Sequence, residues 1–565
     1  MADPEGPAGD RSAREEDRAD VAPAAIWRLS SATCLLLCGL LFFGPSILFG
    51  IPAGFDLEIH LNWTTAFREA LSWRTPYPRW LPSLWHETGA ADYYFYAPLS
   101  SYMTSLAGTI CPGCDAGQAM VGAAFAFRLL ATIGTAALCR ALGMPKIAVA
   151  AGCLMMLAPY QGVNWNVRMA FGEMMGSALV PWFLFGLLRC VRDGKWHPFA
   201  LATAALSATH LPTLLISVLI GAVLCLTVWR PRLAIFPGAF LTALGAGAIG
   251  LGLTAVYWLP AISLLDTVNS AHLTVYAWND RLLDFASGGW ALGYLGQSQP
   301  LLTLSSLALL VCSTDKARAV RPVVLTLLAL VWFFVSPFSS WVWASLPLLG
   351  IVQFPSRFLV FYELAIALAL PLLWQVFRNA QGQTLVRGAV LAAGLVAVIT
   401  VTAPPITRWI APPETEPRAW MTDMRRGALE WLGHEMPPAD PETFVQAIYT
   451  FQKPPAIQVE GGEADLRDVE PTRLVVSANC PDGCRITLAR GYWRHWEIVE
   501  TEGGRAELKP NGALPLLSLE VSPEGGRYVV ELVRPAVVTF GLGISILSLL
   551  AFGASVMRLR RRQRL

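Results

Sequence analysis

The chain has 565 residues, 54% hydrophobic and 15% charged, with a net charge of +2. A soluble domain carries about 25% charged residues, whereas the mean hydropathy here is +0.48. The composition excludes a soluble enzyme with a single anchor and offers no basis for nucleic-acid binding; it describes a polytopic membrane protein.

Residues 1–31 are polar, Ala/Pro/Gly-rich and mixed in charge, and are expected to form a disordered cytoplasmic tail. That leader is long and acidic, and the apolar run after it is long, so an uncleaved anchor is expected rather than a signal peptide. Basic residues then mark cytoplasmic turns. The clusters are Arg140/Lys146, Arg189/Arg192/Lys195, Arg230/Arg232, Lys316/Arg318/Arg321, Arg378/Arg387 and the C-terminal "RLRRRQRL". One helical hairpin fits between each pair, the tightest being 197–229. About 12 transmembrane helices result, near 32–51, 116–139, 147–162, 173–189, 197–211, 213–229, 234–258, 298–313, 322–336, 357–377, 388–404 and 534–556, in a mainly α polytopic fold.

The expected organisation is a transmembrane domain 32–404 with an external first loop 52–115, an external β-rich domain 405–533, a last helix 534–556 and a basic cytoplasmic tail 557–565. Parity also places 163–172, 259–297 and 337–356 outside. Every long loop then faces away from cytosolic nucleotides, and no phosphate loop or dinucleotide glycine pattern is visible.

The first loop opens with "FDLEIHLNW". Asp56, Glu58 and His60 stand at i, i+2 and i+4. An extended chain would present all three on one face, whereas a helix would align only Asp56 and His60. A carboxylate at the edge of a low-dielectric region has a raised pKa unless paired, which suits a general base or a metal ligand. The plainer reading is a solvated charge cluster at a helix end. The tract "SWRTPYPRWLPSLWHETGAADYYFYAPLSSY" sets Arg74, Arg79, His86, Glu87, Asp92 and Tyr96 among aromatic rings. Such rings favour the membrane interface, and with arginines they also suit a sugar and a lipid phosphate. The apolar piece 97–110 is too short to span and is expected to lie flat or half-inserted.

In "YQGVNWNVRMAFGEMMG", Arg168 and Glu173 either pair with each other or leave Arg168 facing a phosphate. His210 in "SATHLP", Asp266 in "YWLPAISLLDTV" and Arg357 in "VQFPSRFLVFYE" fall at other expected outer ends. Helix centres read as nearly free of charge, which argues against a transport path. Segment 405–533 begins Pro-rich, continues with a helical piece, "MTDMRRGALEWLGHEMPP", and ends in six short alternating runs from "TRLVVSA" to "RYVVELV". Turn signals between the runs predict a small antiparallel β-sandwich.

Of eleven cysteines, Cys34, Cys38, Cys139, Cys153, Cys190, Cys225 and Cys312 lie in or beside apolar runs and serve as small apolar residues. Cys111/Cys114 and Cys480/Cys484 fall outside, where an oxidising compartment favours two local disulfides over a four-cysteine zinc site.

The run "FDLEIHLNW…TPYPRW…FYAPLSSY" resembles the opening of a bacterial integral-membrane family labelled 6-pyruvoyl-tetrahydropterin synthase-related, itself similar to YfhO-type proteins and the wider GT-C glycosyltransferases. "NVRMAFGEMMGSALVPW", "ATHLP", "AVYWLPAI", "QFPSRFLVFYELA", "HEMPP" and "RGYWRHWEIV" extend the likeness over most of 32–556. Nothing in the chain supports the pterin chemistry of that label. The resemblance implies a glycosyltransferase of the bacterial cytoplasmic (inner) membrane with a periplasmic active face. It would move a sugar from a polyprenyl-phosphate donor to an envelope glycan, lipid or protein acceptor, in an inverting-type or another GT-C-like transfer.

By the resemblance, Asp56 is the catalytic base or metal-binding acid, with Glu58 and His60 beside it. Glu58, Asp92 and Glu173 compete for the place of a second acid. The paired Asp-Asp of several branches is absent because Leu57 follows Asp56. No cofactor is therefore required, and a divalent metal stays open. Arg79, Arg168, His210 and Arg357 would hold the phosphate, with His86, Tyr96 and Glu173 completing the substrate contacts. The β-domain would cover the site or grip the acceptor. The alternatives are a lipid-linked glycan flippase and a non-catalytic scaffold of envelope assembly.

Overall fold

The computed structural model describes residues 32–229, 237–268, 303–308, 310, 318–372, 376–377, 455–511 and 516–562, with isolated positions 278, 282, 384, 388 and 406. The expected tail 1–31, nearly all of span 388–404, the linker and helical piece before residue 455, Cys312, and most of 259–297 lie outside the described residues.

In chain order the helices are α1 (Ala32–Phe49), α2 (Leu57–Ala70), α3 (Leu99–Ile110), α4 (Ala116–Ala141), α5 (Pro145–Arg168), α6 (Phe171–Asp193) and α7 (His197–Ser207). They continue as α8 (Leu211–Thr227), α9 (Pro237–Leu253), α10 (Ala255–Ser263), α11 (Arg321–Val335), α12 (Pro337–Ser345), α13 (Pro355–Leu372) and α14 (Ala536–Arg562). Among the described residues, α1, α4, α5, α6, α13 and α14 are each long and apolar enough to cross a membrane. The pairs α9/α10 and α11/α12 qualify jointly, bent by 80° and 81°, which makes up to eight crossings. The protein is thus a multi-pass membrane protein. Over 197–229, where a hairpin of two spans is expected, the chain forms α7 and α8 of 11 and 17 residues, each shorter than the 18 residues of a candidate span.

Small residues set the helix packing, as expected where lipid provides no hydrophobic drive between helices. A Cβ on Gly186 of α6 would lie 2.7 Å from the Phe199 backbone of α7. One on Gly541 of α14 would lie 2.6 Å from the Ala255 carbonyl of α10. Helices α6 and α13 are the most enclosed, and α14 is the most exposed. The expected flat piece 97–110 forms α3, which packs against α4. A Cys111–Cys114 disulfide and a capping box of Asp115 and Gln118 join the two.

The C-terminal unit is an antiparallel sandwich of eight strands: β1 (Ile457–Glu460), β2 (Glu463–Glu470), β3 (Arg473–Asn479), β4 (Cys484–Gly491), β5 (Trp496–Gly503), β6 (Ala506–Pro510), β7 (Leu516–Val521) and β8 (Gly526–Leu532). One sheet has the order β1-β4-β7-β6 and the other β2-β3-β8-β5. Inward residues such as Val476, Ile486, Leu519 and Val530 form its core, and Cys480 is bonded to Cys484 where β3 turns to β4.

The first loop shares that core. Tyr94 packs on Trp493 at 4.4 Å between ring centres, and Trp80 meets Trp496 edge-on at 5.6 Å. Trp493 Nε1 donates to Thr267 Oγ1 at 2.9 Å, and Arg494 pairs with Asp266 at 2.8 Å. Between these contacts Trp85, His86 and Glu87 all take left-handed φ values of 52°, 56° and 69°. Each such non-glycine residue costs about 1–2 kcal/mol. The Gly491 amide fastens the end of that turn by donating to the Thr88 carbonyl at 2.8 Å.

Candidate active site

Helix α2 begins at Leu57, a short connection after α1 ends at Phe49. The Phe55 amide donates to Val167 O at 3.1 Å and the Asp56 amide to Arg168 O at 2.8 Å. These bonds lay the loop directly on the end of α5. Gly54 permits the approach, since a Cβ there would sit 2.5 Å from Met169 Cβ. Asp56 is the N-cap residue of α2, and His60 lies one turn on, on the same face. Glu58, two residues from Asp56, is half-buried on a different face.

Glu173 is 3% exposed and is the hub of a buried network. Its Oε2 meets Arg168 Nη1 at 3.2 Å and Arg357 Nε at 2.9 Å. Its Oε1 accepts from Tyr160 Oη at 2.5 Å and Asn164 Nδ2 at 3.3 Å. Arg168 Nη1 also donates to Asn164 Oδ1 at 2.9 Å. Phe354 lies against both guanidiniums, 5.1 and 4.9 Å from its ring centre. Glu173 is therefore fully engaged.

Asp56 differs: among the described residues its carboxylate accepts no hydrogen bond from a side chain or from the first turn of α2. Burial pushes its pKa above the usual carboxylate value, opposed by the nearby Arg168 and Arg357. Among the described residues, Arg168 Nε and Nη2 and Arg357 Nη2 meet no hydrogen-bond partner. Two cations thus present spare donors beside one unpaired carboxylate.

The His60 ring is caged by Trp63, Tyr96 and Phe171, with ring centres 5.7, 5.9 and 6.0 Å away. Burial pushes its pKa down to about 3, so the imidazole is neutral. His210 caps α8, and the Thr213 amide donates to its Nδ1 at 3.3 Å. An amide can only donate, so Nδ1 is the acceptor and a neutral His210 carries its proton on Nε2. Gly172 and Gly176, one turn apart on α6, admit the site's neighbours. A Cβ on the first would strike Tyr96 Oη, and one on the second would lie 2.8 Å from His210 Cβ.

The structure therefore gathers Asp56, His60, Tyr96, Arg168, Glu173, His210 and Arg357 from five separate parts of the sequence. Other expected residues engage elsewhere. Arg79 donates to Val256 O at 2.7 Å and stacks on Tyr77 at 3.9 Å, tying the loop to α10. His86 sits in the left-handed turn near the β-domain. Asp92 is fully buried and accepts from Trp63 Nε1 at 2.6 Å. Among the described residues no group of three His, Cys, Asp or Glu side chains could hold a metal. The flanking guanidiniums also make the Asp56 surroundings a poor fit for a divalent cation.

Two charged residues were missed in the sequence. Arg128 is wholly buried halfway along α4, and Glu363 is 6% exposed within α13. These two are exceptions among helix centres that read as nearly free of charge. A lone arginine in "AFAFRLLA" and a lone glutamate in "FYELAIA" give no sign of their partners, which are backbone groups of α5 and the Gln161 side chain.

No family model matches the chain, and no curated protein matches it. Among solved structures it is similar to the arabinofuranosyltransferase AftD from Mycobacteria, at 16% identity and a TM-score of 0.44, over 68% of this chain and 27% of that one. It is similar to ArnT from Cupriavidus metallidurans bound to undecaprenyl phosphate, at 14% identity and 0.36, over 68% and 72%. A third likeness is to the oligosaccharyltransferase AglB from Archaeoglobus fulgidus, solved with an inhibitory peptide and a dolichol-phosphate, at 14% and 0.36, over 67% and 56%. The chain spans about a quarter of the length of the arabinofuranosyltransferase it matches.

Proposed function

We propose that the protein is a membrane glycosyltransferase that moves a sugar from a polyprenyl-phosphate donor to a hydroxyl of a cell-envelope acceptor on the outer face of the membrane. The observation that carries this reading is the Asp56 carboxylate, unpaired among the described residues, beside two buried arginines that retain spare donors there. Glu173 and Asp92 are occupied by protein partners and Glu58 lies on a different face of α2, so Asp56 is the acid assigned to act.

In this mechanism Asp56 takes the acceptor hydroxyl proton as the acceptor oxygen bonds to the sugar anomeric carbon. The bond from that carbon to the phosphate oxygen breaks with its electron pair. The leaving polyprenyl phosphate gains one negative charge, and donors that meet a developing charge contribute most to rate. Arg168, Arg357 and the Nε2–H of His210 would serve that task. His60, neutral and caged, orients the acceptor.

The test uses full-length protein in lipid nanodiscs with radiolabelled polyprenyl-phosphate sugars and an envelope acceptor fraction. Asp56→Asn is expected to lower transfer by about 100-fold or more, the contribution of a general base. Full transfer by Asp56→Asn would remove the assignment. Tight donor binding with no transfer to any acceptor would favour a flippase or scaffold.

A further inference from the structure

Pro159 breaks α5 inside the bundle. It has no N–H, and its ring conflicts with the carbonyl four residues back, Met155. Met156 is the last residue of the regular stretch, Leu157 is its C-cap, and Ala158 before the proline has left the helical region at φ −52°, ψ 125°. The break frees the carbonyls of Met155 and Met156 and the amide of Tyr160, which are costly to bury unbonded in a membrane protein.

Two charged side chains from neighbouring helices meet those groups. Arg128 Nη2 of α4 donates to Met155 O and, at 3.2 Å, to Met156 O. Glu363 Oε1 of α13 accepts from the Tyr160 amide at 2.6 Å and the Gln161 amide at 3.4 Å, and its Oε2 from Gln161 Nε2 at 2.9 Å. Arg128 and Glu363 form no direct ion pair; each holds a different side of the break.

We propose that Glu363 and Arg128 are positioning residues that hold the break in α5 and so fix where Arg168 and Glu173 stand. Helix α13 grips the 159–173 turn twice. Arg357 binds Glu173 at its start, and Glu363, six residues or about 9 Å further, binds the Tyr160 amide. Tyr160 links the two grips, because its hydroxyl donates to Glu173. Among the described residues, Arg128 Nε and Nη1 have no hydrogen-bond partner. A residue kept only for stability would not carry that cost. Two buried charges in the spans are thereby assigned to the backbone rather than to a transport path. The inference rests on the proposed site only in linking this turn to donor binding.

The test is hydrogen exchange on the full chain in nanodiscs, comparing wild type with Glu363→Leu, Glu363→Gln and the double variant Arg128→Met/Glu363→Met. Glu363→Leu is expected to speed exchange at Tyr160 and Gln161 by about tenfold or more, the loss of a charge-assisted bond, while β-domain amides are unchanged. Glu363→Gln retains an acceptor oxygen and is expected to restore most of the Tyr160 protection. The double variant is expected to open both sides. If the two charges served only as a distant ion pair, removing both would leave exchange at wild-type rates, and that result would overturn the proposal. Unchanged exchange in Glu363→Leu would also overturn it. Undecaprenyl phosphate binding is measured on the same samples. Its absence in wild type with exchange behaving as expected would count against the proposed function while leaving the clamp standing.

Discussion

Two acids of the site respond oppositely to removal because one is paired and the other is not. Asp56 has a raised pKa, so the folded state holds its proton more tightly than the unfolded chain does. Its contribution to stability is present below the unfolded carboxylate pKa and is lost as pH rises through the folded value. Asp56→Asn should therefore raise the melting temperature at pH 7 more than at pH 4, while transfer falls. Wild-type transfer should fall as acid protonates the base, with an apparent pKa above the ordinary aspartate value. Glu173 is the reverse case. Its removal leaves Arg168 and Arg357 buried without their shared counter-charge, and breaking a buried pair costs about 3–5 kcal/mol. Glu173→Ala should unfold well below wild type in a thermal melt of detergent-solubilised protein. A destabilised Asp56→Asn alongside a tolerant Glu173→Ala would reverse both assignments.

The elements show which features the sequence could reveal. The alignment of Asp56 with His60 was legible, since it follows from helical spacing once a helix forms there. Six sandwich strands were legible from alternation and turns, but β1 and β2 were not. "IQVE" and "EADLRDVE" are polar and partly exposed edge strands, and edges carry charge to avoid further pairing. The break in α5 was missed: the expected span 147–162 runs straight through Pro159, and the sequence does not mark the residues that satisfy what that proline frees. The Gly54 contact was invisible, because it depends on α5 ending where the first loop begins. It carries a prediction. Gly54→Val should push the loop off Met169 and weaken the bonds from the Phe55 and Asp56 amides to α5. Overpacking of this kind costs about 1–3 kcal/mol. The expected result is a modest drop in melting temperature with a disproportionate loss of transfer, read by comparing kcat with thermal midpoint. A proportionate fall in both would mean that the contact only stabilises.

At the scale of the whole molecule, the β-domain is built into the first loop rather than hung beside it. Tyr94 faces Trp493 while Tyr96, two residues on, faces His60. One short aromatic run therefore connects the sandwich to the site. This geometry suits a domain that fixes the loop, and it sets aside a lid swinging freely over the site. Trp493 is 1% exposed and joins Tyr94, Phe95 and Thr267. Truncating a buried tryptophan costs about 3–5 kcal/mol. If loop and sandwich are one cooperative unit, Trp493→Ala should lower their unfolding together. Residues 84–96 and 484–496 should gain proteolytic sensitivity in parallel, with the spans unaffected. Transfer should also fall, although Trp493 touches none of the cluster around Glu173. If the sandwich loosened while the loop and turnover stayed intact, the domain would be an independent binding module, and its role would lie with the acceptor rather than with the shape of the site.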